Sequence, residues 1–192
     1  DPSYLSSISK NETKNLDVWL MGTQELIESF TRNSKSDISI IEGVMGYYDG
    51  FGGKSNLAST HHVASLLESP VILILDASKT SRSIAATALG FTKFHKNSRI
   101  SGIILNKIGS KKHEDLCRAA LLNLKIPIIG VIPKNPSANL ESRHLGLIPV
   151  REQKDLHNKI KQISKEISDY LDFDLIEKIC KTTSSLKKIK PV

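Results

Sequence analysis

The sequence predicts an α/β fold, a doubly wound, mostly parallel sheet flanked by helices, and two patterns carry that expectation. Four short apolar runs, "ISII" at 38–41, "VILIL" at 71–75, "IILN" at 103–106 and "IPIIGVI" at 126–132, are continuous rather than alternating. Continuous runs suit strands buried on both faces of a parallel sheet. Stretches with helical spacing separate them, and a recurrence of about 25 to 30 residues is that of βαβ units with right-handed crossovers.

Taken in order, the first run ends at Glu42 and opens into the loop "EGVMGYYDG". Leu57, Ala64 and Leu67 then share one helix face, and the second run closes on Asp76 with Ser78 nearby. Ser78 and Ser81 read as caps of the next helix, whose inward face carries Ala85, Ala88 and Leu89. The third run ends at Asn106 and Lys107, and Leu116, Ala119 and Ala120 mark the helix after it. Pro133 and Lys134 close the fourth. From Arg151 onward the chain reads as one or two amphipathic helices, with Leu156, Ile160, Ile163 and Ile167 in a stripe that covers a sheet edge.

Composition narrows the class. A chain of 192 residues with 39% hydrophobic content suits a single core. No run approaches the roughly 20 apolar residues of a membrane span, and "DPSYLSSISK" lacks the basic and apolar regions of a signal peptide, so a cytoplasmic protein without a membrane partner is expected. The net charge of +7 is concentrated late, with Lys178, Lys181, Lys187, Lys188 and Lys190 in a solvated tail. No aromatic residues interleave there to stack on bases, which argues against a nucleic-acid partner. Cys117 and Cys180 lack a CxxC partner and read as unremarkable reduced thiols. His61 and His62 have no carboxylates at metal spacing and read as structural.

Ligands of such sheets bind beyond the carboxyl ends of the strands, and those ends are polar here. Glu42 is the Mg²⁺ candidate, because a carboxylate after an apolar strand offers hard oxygen to the metal of a phosphate-handling site. Asp49, among Gly43, Gly46, Gly50, Gly52 and Gly53, belongs either to a ligand loop or to an ordinary glycine-rich turn. No GxxxxGK[ST] phosphate loop occurs, and "GFGGKSN" has the wrong spacing. Either this is no nucleotide site, or its phosphate loop and first strand lie before Asp1.

The stretches "NLDVWLMG", "EGVMGYYDG", "LDASKTSRS", "GIILNKIGS" and "ESRHLGLIP" resemble, in that order and at similar spacing, the cobyrinic acid a,c-diamide synthases. That family is a dethiobiotin-synthetase-like branch of P-loop NTPase-like proteins joined to a glutaminase domain. The resemblance implies an incomplete synthetase domain over 1–150, its closing helices over 151–180, and a linker over 181–192 toward a glutaminase. Asp1-Pro2 looks like the end of the family's "GPDxxDP" motif. By itself the chain is expected to be inactive and marginally stable.

The implied reaction makes the protein a carbon-nitrogen ligase with glutamine as amido donor. ATP would phosphorylate two acetate side chains of the corrinoid cobyrinic acid, with Mg²⁺ as cofactor, and ammonia from the glutaminase would displace phosphate. Residue by residue, Glu42 would support Mg²⁺, and Asp1 and Asp49 would serve catalysis on the metal and substrate side. Asn106, Arg82 and Pro133 would lie on the nucleotide side. An amide such as Asn106 both donates and accepts, matching an adenine edge, and the Arg82 fork suits phosphate or carboxylate, although a helix-start arginine is also often merely exposed. Tyr47 and Tyr48 either flank the flat macrocycle or close the loop against the sheet. Arg143 and His144 approach the nucleotide or the domain junction, or form a turn. Open alternatives are amidation of nickel sirohydrochlorin, the later step of cobyric acid synthase, or a non-catalytic switch protein similar to partitioning ATPases.

Overall fold

The computed structural model describes residues 2–134, 142–143, 146–147 and 156–183. Three helices come first, α1 (Pro2–Ser9), α2 (Val18–Met21) and α3 (Thr23–Asn33), followed by a long connection. Then α4 (Thr60–Leu66) leads into β1 (Val71–Asp76), α5 (Ser83–Lys93), β2 (Ile100–Ile108), α6 (Lys111–Leu121) and β3 (Ile128–Pro133). A short antiparallel hairpin, β4 (Ser142–Arg143) with β5 (Gly146–Leu147), and the helices α7 (Leu156–Ser168) and α8 (Phe173–Cys180) follow.

The sheet is parallel in the order β1-β2-β3, as the continuous apolar runs predict. Alternate side chains leave its two faces; one is covered along the sheet, the other over β2 and β3, while Ile74 of β1 is 61% exposed. Leu73, Leu75, Ile103 and Leu105 pack with Ile84 and Ala88 of α5 and Cys117 and Leu121 of α6. On the opposite face Ile104 and Ile129 meet Ile179 of α8. A satellite cluster of Val18, Leu26, Val63 and Leu67 packs α2 and α3 on α4.

The outer edge of β3 is not left bare. The Val131 N–H donates to Tyr170 O at 3.1 Å, and the Asp172 N–H donates to Ile129 O at 2.8 Å. This approach requires Gly130, since a Cβ there would lie 2.9 Å from Tyr170 O and 2.5 Å from Leu171 Cδ2. The turn between α7 and α8 thus does the edge-blunting that an exposed strand needs.

Several expectations are corrected. Residues 38–41 form no strand, and Ile40 is 92% exposed. An apolar run becomes a strand only where a neighbour completes its ladder and a face covers it, and β1 pairs with β2 alone among the described residues. Leu57 precedes α4, which begins at Thr60 behind the capping Ser59. Leu116 and Leu89 are exposed, and Cys117 and Ala88 take the inward positions. Asp1, His144 and the tail from residue 184 lie outside the described residues.

Candidate functional site

Strand β1 ends at Asp76, opposite Asn106, two residues before the end of β2. Asp76 Oδ2 accepts Lys107 Nζ at 2.6 Å, and Asp76 Oδ1 accepts the Ser78 N–H at 2.9 Å. The Lys107 hydrogen bond first, and those of Ser78 next, hold the Asp76 carboxyl far below the usual carboxylate range. Lys107 sits at φ +62°, in the left-handed region that non-glycine residues seldom occupy, a conformation found often at functional sites. Asn106 accepts the Lys107 N–H on its Oδ1 at 2.9 Å and the Ala77 N–H on its main-chain oxygen at 2.8 Å. Its amide NH₂ donates no hydrogen bond among the described residues.

The carboxyl end of β3 joins this crest through the Lys134 N–H, which donates to Ile108 O at 2.8 Å. Beside Pro133 opens a cavity of about 410 Å³ lined by Gly109, Ser110, Lys111, Arg118 and Tyr170 among others. That is within the size range of small-molecule sites. Glu114 in its wall is already paired with Lys111 at 3.3 Å and Arg118 at 2.6 Å.

Arg82 opens α5 and is exposed, without an ion pair among the described residues. It occupies the N-cap position, and no side chain caps the helix there. The expected caps Ser78 and Ser81 are therefore not caps; Ser78 instead turns its N–H onto Asp76.

The loop after Glu42 is moored elsewhere. The buried Tyr47 donates its hydroxyl to Ser98 O, and Tyr48 donates its own to Phe91 O at 2.6 Å. The His61 N–H donates to Tyr47 O at 2.9 Å, and His61 Nε2 donates to Asn97 O at 2.9 Å, a carbonyl being able only to accept. Ser98 and Asn97 just precede β2, so the tyrosines close the loop at the amino end of that strand, away from Asn106. Burial raises the Tyr47 and Tyr48 phenols and lowers the His61 imidazole.

The structure thus brings Asn106 and Pro133 together at the carboxyl crest with Asp76 and Lys107, and holds Asp49 with a separate group. Asp49 Oδ2 accepts the Gly46 N–H at 3.0 Å, closing its own turn. Glu42 is exposed and makes no hydrogen bond or ion pair among the described residues. Sequence reasoning left Lys107 without a role, although its position directly after a strand-end amide was the available signal. It also missed the contact between Trp19 and Phe51, whose rings stack with centroids 4.0 Å apart.

A family model described as "AAA domain" matches residues 5–142. The chain belongs to this AAA domain family. Among relatives of this AAA domain, a "Hydrogenobyrinate a,c-diamide synthase" of Streptomyces coelicolor is 38% identical over 97% of the chain and 39% of the relative. A "Cobyrinate a,c-diamide synthase" of Caldanaerobacter subterraneus is 37% identical over 95% of the chain and 40% of the relative. Its namesake in Listeria innocua is 36% identical over 99% of the chain and 43% of the relative. The AAA domain chain thus spans about two fifths of the length of these curated relatives. No solved structure matches. Among the described residues, no helix is long and apolar enough to cross a membrane.

Proposed function

We propose that the chain carries the ATP-dependent step of a corrin a,c-diamide synthase. In this reading a corrin acetate oxygen attacks the γ-phosphorus of ATP and ADP leaves, giving an acyl phosphate. Ammonia, supplied from glutamine by a glutaminase domain, then attacks the acyl carbon, phosphate departs and the amide remains. A carboxylate is a poor acyl donor until its oxygen becomes such a leaving group. ATP dependence suits a cytoplasmic setting. The observation that carries this reading is the 38% identity over 97% of the chain to a diamide synthase.

We assign the nucleotide to the crest that holds Asn106, the cavity beside Pro133, and Arg82 at the start of α5. Lys107, fixed by Asp76, is a cation to steady phosphate oxygens at that crest. Asp49 belongs to the corrin side, together with Asp1.

The chain's donors fit Mg²⁺. This ion keeps several waters and is bound through one or two carboxylates plus substrate phosphates rather than by a protein cage. The unpaired, exposed Glu42 carboxylate suits that mode. When bound, Mg²⁺ would neutralise charge developing on the phosphoryl oxygens.

The test is amidation by the intact gene product of cobyrinic acid and of its cobalt-free counterpart, with ATP, Mg²⁺ and ammonia, followed by mass spectrometry. Sequential mass changes for one and then two amides, with stoichiometric ADP, are expected. ATP turnover without amide on either corrin acid would sink the reading.

A further inference from the structure

We infer that the stacked rings of Trp19 and Phe51 form a platform for a flat macrocycle bearing carboxylates. The rings lie 15° from parallel with centroids 4.0 Å apart, yet each residue is 56% exposed. Leu20, next to Trp19, is 80% exposed. With one face of each ring given to the other, much of the remaining aromatic surface stays wet. Exposed aromatic faces of this kind offer stacking area to a flat ligand.

The platform is built from both sides. Asp17 Oδ1 accepts the N–H of Trp19 at 2.8 Å and of Leu20 at 3.2 Å, capping α2 and fixing Trp19 at its start. The Phe51 N–H donates to Leu57 O at 2.7 Å, which fixes the backbone of the other ring. Two segments far apart in sequence are thus each held by their own hydrogen bonds where their rings meet. Such preorganisation lowers the entropy lost on binding.

The occupant follows from shape and charge. Near-parallel rings extend their stack only toward a planar partner. Lys54, immediately after the 3-10 turn Phe51–Gly53, is exposed and has no ion pair among the described residues, so the cation at this edge is available to an anion. A corrin acid combines an extended ring with carboxylates. This assignment rests on the proposed amidation, whose acceptor side includes Asp49, two positions before Phe51. A nucleotide base is also planar, but the proposed reader of one is Asn106, opposite Asp76 in the parallel sheet, and neither platform ring contacts it among the described residues.

Trp19 is the one tryptophan of the chain, so its emission reports the platform directly. Titration of the chain with cobyrinic acid should quench that emission saturably. Phe51→Ala should raise the dissociation constant about fivefold to tenfold, the scale of one lost aromatic contact. Phe51→Leu keeps apolar bulk to preserve the fold and should show a loss in the same direction. Equilibrium dialysis should show weaker binding for Lys54→Ala, and ATP alone should leave the emission unchanged. Absence of saturable quenching, or saturable quenching by ATP instead, would overturn the platform. Equal dissociation constants in wild type and both Phe51 variants would overturn it while leaving amidation intact. Saturable, Phe51-dependent binding without amidation by the intact gene product would remove the reaction and keep the platform.

Discussion

Lys107 Nζ meets Asp76 Oδ2 at 2.6 Å across the carboxyl ends of β2 and β1. Both side chains are about half exposed, and exposed pairs contribute little to folding. The pair instead fixes one ammonium where the proposed phosphates would lie. Asp76→Asn should therefore leave the melting temperature nearly unchanged at neutral pH. In the intact gene product it should raise the KM for ATP severalfold with little change in kcat, because the lysine loses its anchor and keeps its charge. An unchanged KM together with a fallen melting temperature would make the pair structural.

Glu42→Gln tests the metal side. The amide is nearly isosteric and the side chain is exposed, so the melt should be preserved. Loss of a preorganised charge contact typically costs about 10²-fold or more in kcat, and steady-state amidation with ammonia as donor reads that loss. Wild-type kcat would return Glu42 to an ordinary solvated acid. Ser78→Ala, once a cap is excluded, should leave helix stability alone and act only by weakening the support of Asp76.

The sheet was legible because strands of a parallel sheet demand uninterrupted apolar runs, and the run at 71–75 became all of β1 but its last residue and that at 103–106 the inner part of β2. The same signal failed at 38–41, since a ladder needs a neighbour that an apolar run does not encode. Strand-end residues such as Asn106 could be placed from the sequence because register follows from parallel pairing. The separation of Asp49 from Asn106 could not. It depends on Tyr47 and Tyr48 reaching Ser98 and Phe91, contacts far apart in sequence with no local periodicity.

His61 makes the mooring of that loop sensitive to acid. Its ring is buried, donates to Asn97 O, and lies against Tyr47, Tyr48 and His95, with His62 and the Arg99 cation adding repulsion. Burial first lowers its pKa below the ordinary value of about 6.5, the hydrogen bond to Asn97 opposes it, and His95, His62 and Arg99 add to the lowering. The unfolded chain then binds more protons, so stability is full above about pH 6.5 and falls as pH drops from there toward the folded value. The slope from this residue is at most about 1.4 kcal/mol per pH unit. His61→Gln should flatten the change in melting temperature between pH 7 and pH 5.5, and an unaltered profile would assign acid sensitivity to other groups.

Gly50 should tolerate no side chain. Its φ of −119° is open to any residue, so the demand is steric. A Cβ would stand 2.4 Å from Leu57 O and 2.8 Å from Ser55 O, both main-chain atoms with no rotamer to yield. The Phe51 N–H bond to Leu57 O would have to lengthen to make room, which moves the ring that stacks on Trp19. Overpacking of this kind costs about 1–3 kcal/mol. Gly50→Ala should lower the melting temperature by several degrees and shift the Trp19 emission. It should also weaken cobyrinic acid binding more than Phe51→Leu does, because it displaces the ring and strains its support. If Gly50→Ala melts and emits like the wild type, the segment 50–57 yields freely and cannot be what holds Phe51 in place.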